Sequence, residues 1–194
     1  MNKNYYLGIL GLEGEDAMLA QIIINRLHAL PRTGWVDRGV KNPETVGEHT
    51  DQTVLIAKKY FAFRGLKKML IIHDWAESDK AVGDIRTDVN CPKKSRCSKE
   101  EKYRRELRAM ENICSGFKSG GEEILKLWLE FEERKTLRAR VGGQIDKFQM
   151  IKKAYSYQKT GQPISAEEFY IHSGPEISNV VLRHALDKIK LTLK

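Results

Sequence analysis

Apolar positions recur at three- and four-residue spacing along nearly the whole chain, the period of helices that each bury one face. In EDAMLAQIIINRLHAL, Leu19, Ile22, Ile23, Leu27 and Leu30 form such a stripe. Asn42 and Pro43 mark the next helix start, since proline suits the first helical position. The face that follows carries Val46, His49, Thr53, Ile56 and Tyr60. LKKMLIIHDWAE predicts a third, mostly apolar helix.

Ser98 with Glu101 reads as a capping box opening a helix whose inner face is Leu107, Met110, Ile113 and Cys114. EEILKLWLEFEE turns Ile124, Leu127, Trp128 and Phe131 inward, and a long helix from about Thr136 to Lys159 buries Leu137, Val141, Ile145, Phe148 and Tyr155. A second box, Ser165 with Glu168, and then Pro175 introduce C-terminal helices, the last carrying Val181, Ala185 and Ile189. No alternating run with hairpin chemistry, internal repeat or low-complexity linker interrupts the pattern. It predicts one compact all-α domain over residues 1–194.

Composition agrees with a packed domain. In 194 residues, 41% are apolar and 31% charged, which excludes a disordered chain, a collagen-like repeat and a disulfide miniprotein. No stretch approaches the roughly 18 uninterrupted apolar residues of a membrane span, and the first residues turn acidic too soon for a signal peptide. The expected compartment is the cytoplasm. The net charge of +8 is spread in small clusters such as Lys93-Lys94, Arg104-Arg105 and Lys152-Lys153, without a basic arm, which argues against a dedicated nucleic-acid binder. The three cysteines, Cys91, Cys97 and Cys114, contain no CxxC pair and read as reduced thiols.

Candidate chemistry begins at His73-Asp74, at the end of the apolar run LIIHDWAE. A charged Asp there is costly to bury without a partner or a metal, and Glu77 lies one helical turn beyond His73. His49 shares the inward face of Val46 and Thr53. Asp146 sits between Ile145 and Phe148 on the apolar side of its helix. Singly, each fits an ordinary hydrogen-bonded core residue. Together, two His and two Asp aimed into one small core make a mixed nitrogen and oxygen site suited to six-coordinate Mn, Co, Fe or Mg. Four such ligands leave two positions open, the requirement for hydrolysis. His28, His172 and His184 lack such company and read as structural or surface residues.

The order His49, His73-Asp74, Asp146 resembles the HD-domain phosphohydrolases. The segments PRTGWVDRGV, NPETVGEHT, IIHDWAE, VGDI, KEEKYRRELRAM, LWLEFEER and QIDKFQMIKKAYSYQ, over about residues 22 to 158, are similar to the 5′-deoxynucleotidase branch of that family. The resemblance implies a helical bundle, a homodimer, and a divalent metal used to hydrolyse deoxynucleoside 5′-monophosphates. It implies His49, His73, Asp74 and Asp146 as metal ligands and Glu77 as the acid that orients water or shuttles its proton. Trp35 would pack on the deoxyribose, Arg32 would clamp the phosphate, Asp84 would lie near the sugar and leaving group, and Lys147 would help neutralise phosphate.

Each of these positions has a plain structural alternative: Trp35 as core, Arg32 as a surface ion pair, Asp84 as a helix cap after Gly83. In one departure from the family pattern, Ser78-Asp79-Lys80-Ala81-Val82 separate Glu77 from Gly83-Asp84, two residues more than is usual. That insertion would bring Lys80 to the pocket mouth. Two rival functions follow: a deoxynucleoside triphosphate triphosphohydrolase, for which Lys80 would meet the longer tail, and a nucleotide or nucleic-acid binding module with a non-catalytic metal.

Overall fold

The computed structural model describes residues 3–87 and 97–191. Among them the chain forms ten α-helices: α1 (Lys3–Leu10), α2 (Gly14–His28), α3 (Thr33–Val36), α4 (Val46–Tyr60), α5 (Leu66–Ile72), α6 (Lys99–Ser115), α7 (Gly121–Glu133), α8 (Leu137–Lys159), α9 (Ala166–Ser173) and α10 (Val180–Leu191). No strand forms among the described residues, although an isolated β-bridge joins Pro31 and Thr45. The all-α expectation holds, and none of the described helices is long and apolar enough to cross a membrane.

The centre of the bundle is α4, packed on α2, α5 and α8. Val46, Val54, Leu70, Ile72, Ile145 and Ile151 have no exposed surface there, and each such side chain contributes about 1.5–3 kcal/mol through burial. The α2–α4 crossing is tight at Gly47, where a Cβ would come within 2.6 Å of the His28 ring. Any larger residue would push α4, and with it His49 two residues on, away from α2.

Several boundaries and faces differ from the pattern-based expectation. Helix α4 begins at Val46, three residues beyond Pro43, because Thr45 and Glu48 close a reciprocal capping box (3.1 and 2.9 Å). Asn42 instead turns the chain with a φ of +52°. The two boxes read from the sequence are half formed. Ser98 and Ser165 accept from the amides of Glu101 and Glu168, but Glu101 turns its carboxylate to Arg104 and Arg105, and Glu168 turns to Arg38. A guanidinium gives a charge-assisted bond that an amide cannot match.

The α2 stripe runs through Ala20, Ile23, Ile24 and Leu27, leaving Ile22 exposed. In α10 it is Leu182 and Leu186 that are buried, not Val181. Where three apolar residues stand in a row, as in Ile22-Ile23-Ile24 and Val180-Val181-Leu182, the phase of the stripe is ambiguous and packing selects it. Leu137, at the first position of α8, is also exposed. Helices α1 and α3 are additions to the expected set, both too short to show a periodic stripe. Helix α1 is anchored by buried Tyr6 and Leu10, and the Tyr6 hydroxyl donates to Asp51. Cys97 and Cys114 are free thiols; Cys91 and Lys93-Lys94 lie outside the described residues.

Candidate metal centre and active-site cleft

The helix expected over LKKMLIIHDWAE ends at Ile72. His73-Asp74 form a turn, and Trp75–Ser78 continue as a 3₁₀ helix. Side chains three apart eclipse in this tighter coil, so Glu77 comes alongside Asp74. The break also fixes His73, whose Nδ1 pairs with the Leu70 carbonyl at 2.7 Å. Its backbone carbonyl accepts from the Trp128 indole at 3.2 Å, and its ring packs edge-on against Phe131.

His49 on α4 has its Nδ1 2.6 Å from the Gln149 side-chain oxygen. Both Nδ1 atoms therefore donate, and each Nε2 is left with its lone pair. The two Nε2 atoms face each other at 3.3 Å. Asp146 Oδ1 lies 3.2 Å from His49 Nε2, and Asp74 Oδ2 lies 3.1 Å from His73 Nε2 and 3.7 Å from His49 Nε2. His49, His73 and Asp146 offer ligand atoms all within 4.8 Å of one another, and Asp74 lies beside both imidazoles, outside that group. Two opposed lone pairs repel unless a cation sits between them. Neighbouring nitrogen ligands on an ion at about 2.1 Å stand about 3 Å apart. The donor set fits a divalent metal.

Charges around the cluster are consistent with that. Burial disfavours charge on His73, but Asp74 and Asp146 outweigh it and raise its pKa. Burial likewise works against the Asp74 and Asp146 carboxylates, yet the imidazoles, with Arg32 beside Asp74 and Lys147 beside Asp146, hold both below the usual range. Glu77 goes the other way: burial, then Asp74 and Asp84, push it well above an ordinary carboxyl, against the pull of Lys102 and Arg32.

Beside the cluster opens a cleft of about 410 Å³ whose lining includes Arg32, Trp35, Asp84, Lys102, Lys147 and Phe169. Arg32, at the start of α3, senses Asp84, Asp74, Asp146 and Glu44; burial opposes its charge and these four acids restore it. Asp84 accepts from the Thr33 amide at 2.6 Å, so it caps α3 across space and not a helix of its own. Trp35 is buried, its indole donating to Glu44 at 3.0 Å and its ring packed against Tyr157 and Phe169. It belongs to the core and to the cleft wall at once. Lys80 is exposed on the turn and does not line the cleft.

Lys102 of α6 is the residue that the sequence reading missed. Its amine lies 3.3 Å from Glu106, 3.9 Å from Glu77 and 3.0 Å from the Ile85 carbonyl. Burial opposes its charge, but Glu77, Glu106, Asp84 and Asp74 raise its pKa. It is hidden in KEEKYRRELRAM, where Lys99, Arg104, Arg105 and Arg108 surround it and the whole segment reads as a solvated face. Helix α9, expected after Ser165, also brings Phe169, His172 and Ser173 to the cleft, a placement that spacing did not show. Arg38 lies over the Phe169 ring at 4.8 Å and pairs with Glu168 at 3.0 Å.

A family model described as HD domain matches residues 24–190. The chain belongs to the HD-domain family. This HD-domain chain is 34% identical over 155 residues to the 5′-deoxynucleotidase HDDC2 of Danio rerio, a match that spans 77% of this chain and 74% of the relative. It is 36% identical over 150 residues to the 5′-deoxynucleotidase HDDC2 of Dictyostelium discoideum, covering 71% and 75%. To the Homo sapiens protein of that name it is 33% identical over 154 residues, covering 76% and 72%. Among solved structures, a conserved hypothetical protein from Pyrococcus furiosus shares the fold with a TM-score of 0.67 at 24% identity, covering 88% of this chain and 97% of that one.

Proposed function

We propose that this HD-domain chain is a metal-dependent hydrolase that converts deoxynucleoside 5′-monophosphates to deoxynucleoside and inorganic phosphate. The observation that carries the reading is the pair of facing Nε2 atoms, flanked by Asp74 and Asp146 and set beside a cleft lined by Arg32, Lys102 and Lys147. Relatives bearing the name 5′-deoxynucleotidase support the substrate class. His49, His73, Asp74 and Asp146 would hold the ion, with Mn or Co first among the candidates. A divalent ion in such a site polarises the phosphoryl oxygen and lowers the pKa of water.

The protein's own groups do the rest. Arg32 and Lys147 neutralise the phosphate and the charge that grows on it during transfer. Glu77, alongside Asp74 and held by Lys102, orients the water and takes its proton; burial and the neighbouring acids raise its pKa and so its basicity. Water adds to phosphorus as its proton passes to Glu77, the ester bond to the 5′-oxygen breaks, and that oxygen takes the proton back from Glu77 and leaves as the sugar hydroxyl. Lys102 holds Glu77 from behind. Trp35 presents its ring to the deoxyribose, and the α9 wall with Phe169 takes the base. A homodimer in the cytoplasm is the setting the same reading implies; exposed Val180 and Leu191 on α10 offer an apolar face for a second copy.

The cation set suits a single phosphate. Arg38 and Arg86 are already paired with Glu168 and Asp37, and Lys80 stands outside the cleft. The test is a product assay over deoxy- and ribonucleotides, mono- to triphosphate, with Mn, Co and Mg in turn. Phosphate release from deoxynucleoside monophosphates is expected; inorganic triphosphate released efficiently from a deoxynucleoside triphosphate overturns the order.

A further inference from the structure

Glu44 lies outside every role assigned above, yet it is among the most enclosed charges in the molecule, 3% exposed as a residue. Its two oxygens are divided between two parts of the site. Oε1 accepts from the Trp35 indole at 3.0 Å, and Oε2 accepts from the Gln149 amide at 3.0 Å. Gln149 in turn meets His49 Nδ1 at 2.6 Å. Tyr157, whose ring packs on Trp35, accepts from the Glu44 backbone amide at 2.6 Å. Lys153 stands 3.6 Å from Oε2 and offsets the buried charge.

This order has a direction. A carboxylate only accepts, so Gln149 must turn its NH2 toward Glu44. Its oxygen then faces His49, the proton of His49 must sit on Nδ1, and the Nε2 lone pair is delivered to the metal cluster. The other oxygen, by holding the indole N–H, sets the plane in which Trp35 meets the substrate. We infer that Glu44 is a positioning residue that fixes the His49 tautomer through Gln149 and the Trp35 ring directly, so that metal affinity and the sugar wall are coupled through one side chain. The part concerning Trp35 and the sugar rests on the nucleotidase reading; the part concerning His49 does not.

The chemistry of the substitution makes the coupling testable. In Glu44→Gln the new side chain has one accepting oxygen where two donors wait. If the indole keeps that oxygen, the new NH2 meets the Gln149 NH2, and Gln149 is driven to flip and present its NH2 to His49. The proton then moves to Nε2 and the lone pair is lost. Trp35→Phe removes the competing donor and frees the single oxygen of the substituted side chain for Gln149. The protein and the variants Glu44→Gln, Trp35→Phe and the double substitution are titrated with Mn²⁺ by calorimetry, and the His49 tautomer is read by ¹⁵N NMR without metal.

We expect Glu44→Gln to weaken Mn²⁺ binding about 10- to 100-fold, the scale for lost outer partners of metal ligands, and to move the proton from Nδ1 to Nε2. Trp35→Phe alone leaves Mn²⁺ affinity within about twofold, and in the Glu44→Gln background it restores at least about threefold. A merely structural loss gives no such rescue. Unchanged affinity and tautomer in Glu44→Gln, or a double variant no better than Glu44→Gln, overturns the inference. Should Glu44→Gln fail to fold by circular dichroism, Gln149→Leu carries the test: it must weaken Mn²⁺ binding, and undiminished binding overturns the inference equally. Because neither readout uses substrate, a protein that hydrolyses no deoxynucleotide but shows the rescue defeats the proposed function and leaves the His49 coupling standing.

Discussion

His49 and His73 sit 0% and 4% exposed against the most tightly packed helices, each with Nδ1 committed to one neighbour. Lining the cleft, Arg38, Lys102 and Lys147 are partly exposed. Arg38 and Lys102 make ion pairs, and Arg38 stacks on an aromatic ring. The comparison separates two kinds of construction. The metal side is built into the core: its donors converge from buried helices, and the cost of crowding lone pairs and carboxylates is borne by packing elsewhere. The wall side is built from long cationic side chains whose pairs are each worth only a fraction of a kcal/mol to about 1 kcal/mol where exposed. Under the proposed function the first side holds the ion, while the second positions the substrate and, through Lys102, Glu77.

The sharpest way to break this contrast is on the metal side. Asp74→Ala and Asp146→Ala should abolish hydrolysis under every metal, a loss of several kcal/mol of transition-state stabilisation. Chelator treatment should do the same to the unaltered protein, with Mn or Co restoring it. Full activity in either variant removes the ligand set. Next in size is Glu77→Gln, which keeps shape and metal content and should slow turnover about 10²-fold. Metal loss measured in that variant would make Glu77 a ligand instead.

On the wall side, Lys102→Met should lower kcat about tenfold with metal content intact, since it removes the cation that holds Glu77 but no ligand. A change in KM alone would move Lys102 to substrate binding. Glu106 tests the same corner through stability. Burial, only partly offset by Lys102, pushes its carboxyl to about 7 from an ordinary 4.5. Because the folded state holds this proton more tightly than the unfolded one, the stability it confers is complete below pH 4.5 and is lost as pH rises through 7. Glu106→Gln should therefore gain stability relative to the parent between about pH 5 and pH 8, by roughly 3 kcal/mol at most. Parallel unfolding curves at the two pH values would remove the argument. The smallest effect is expected at Lys80: Lys80→Ala should leave turnover of both mono- and triphosphates nearly unchanged, and a selective loss with triphosphates would revive the longer-tail reading.

Periodicity alone determined the all-α architecture and the inward placement of His49, because a 3.6-residue repeat specifies which side chains share a face; the meeting of His49, His73, Asp74 and Asp146 was implied only by the family resemblance. Periodicity also exposed Asp74 and Asp146 as acids in apolar surroundings. The phase of the stripes in α2 and α10 was not legible, since three consecutive apolar residues satisfy two faces equally well. Nor was the break after Ile72, which swings Glu77 beside Asp74 and depends on Trp128 and Phe131 of α7 holding His73. Lys102, Glu44, Gln149 and Phe169 carry no local signature; a lysine in a charged helix or a glutamine beside a phenylalanine reads the same on any surface. Their roles arise from partners 25 to 130 residues away along the chain, as Lys102 with Glu77, Glu44 with Gln149 and Arg38 with Glu168 show. Local spacing fixes which way a side chain faces, and only tertiary packing decides what it meets there.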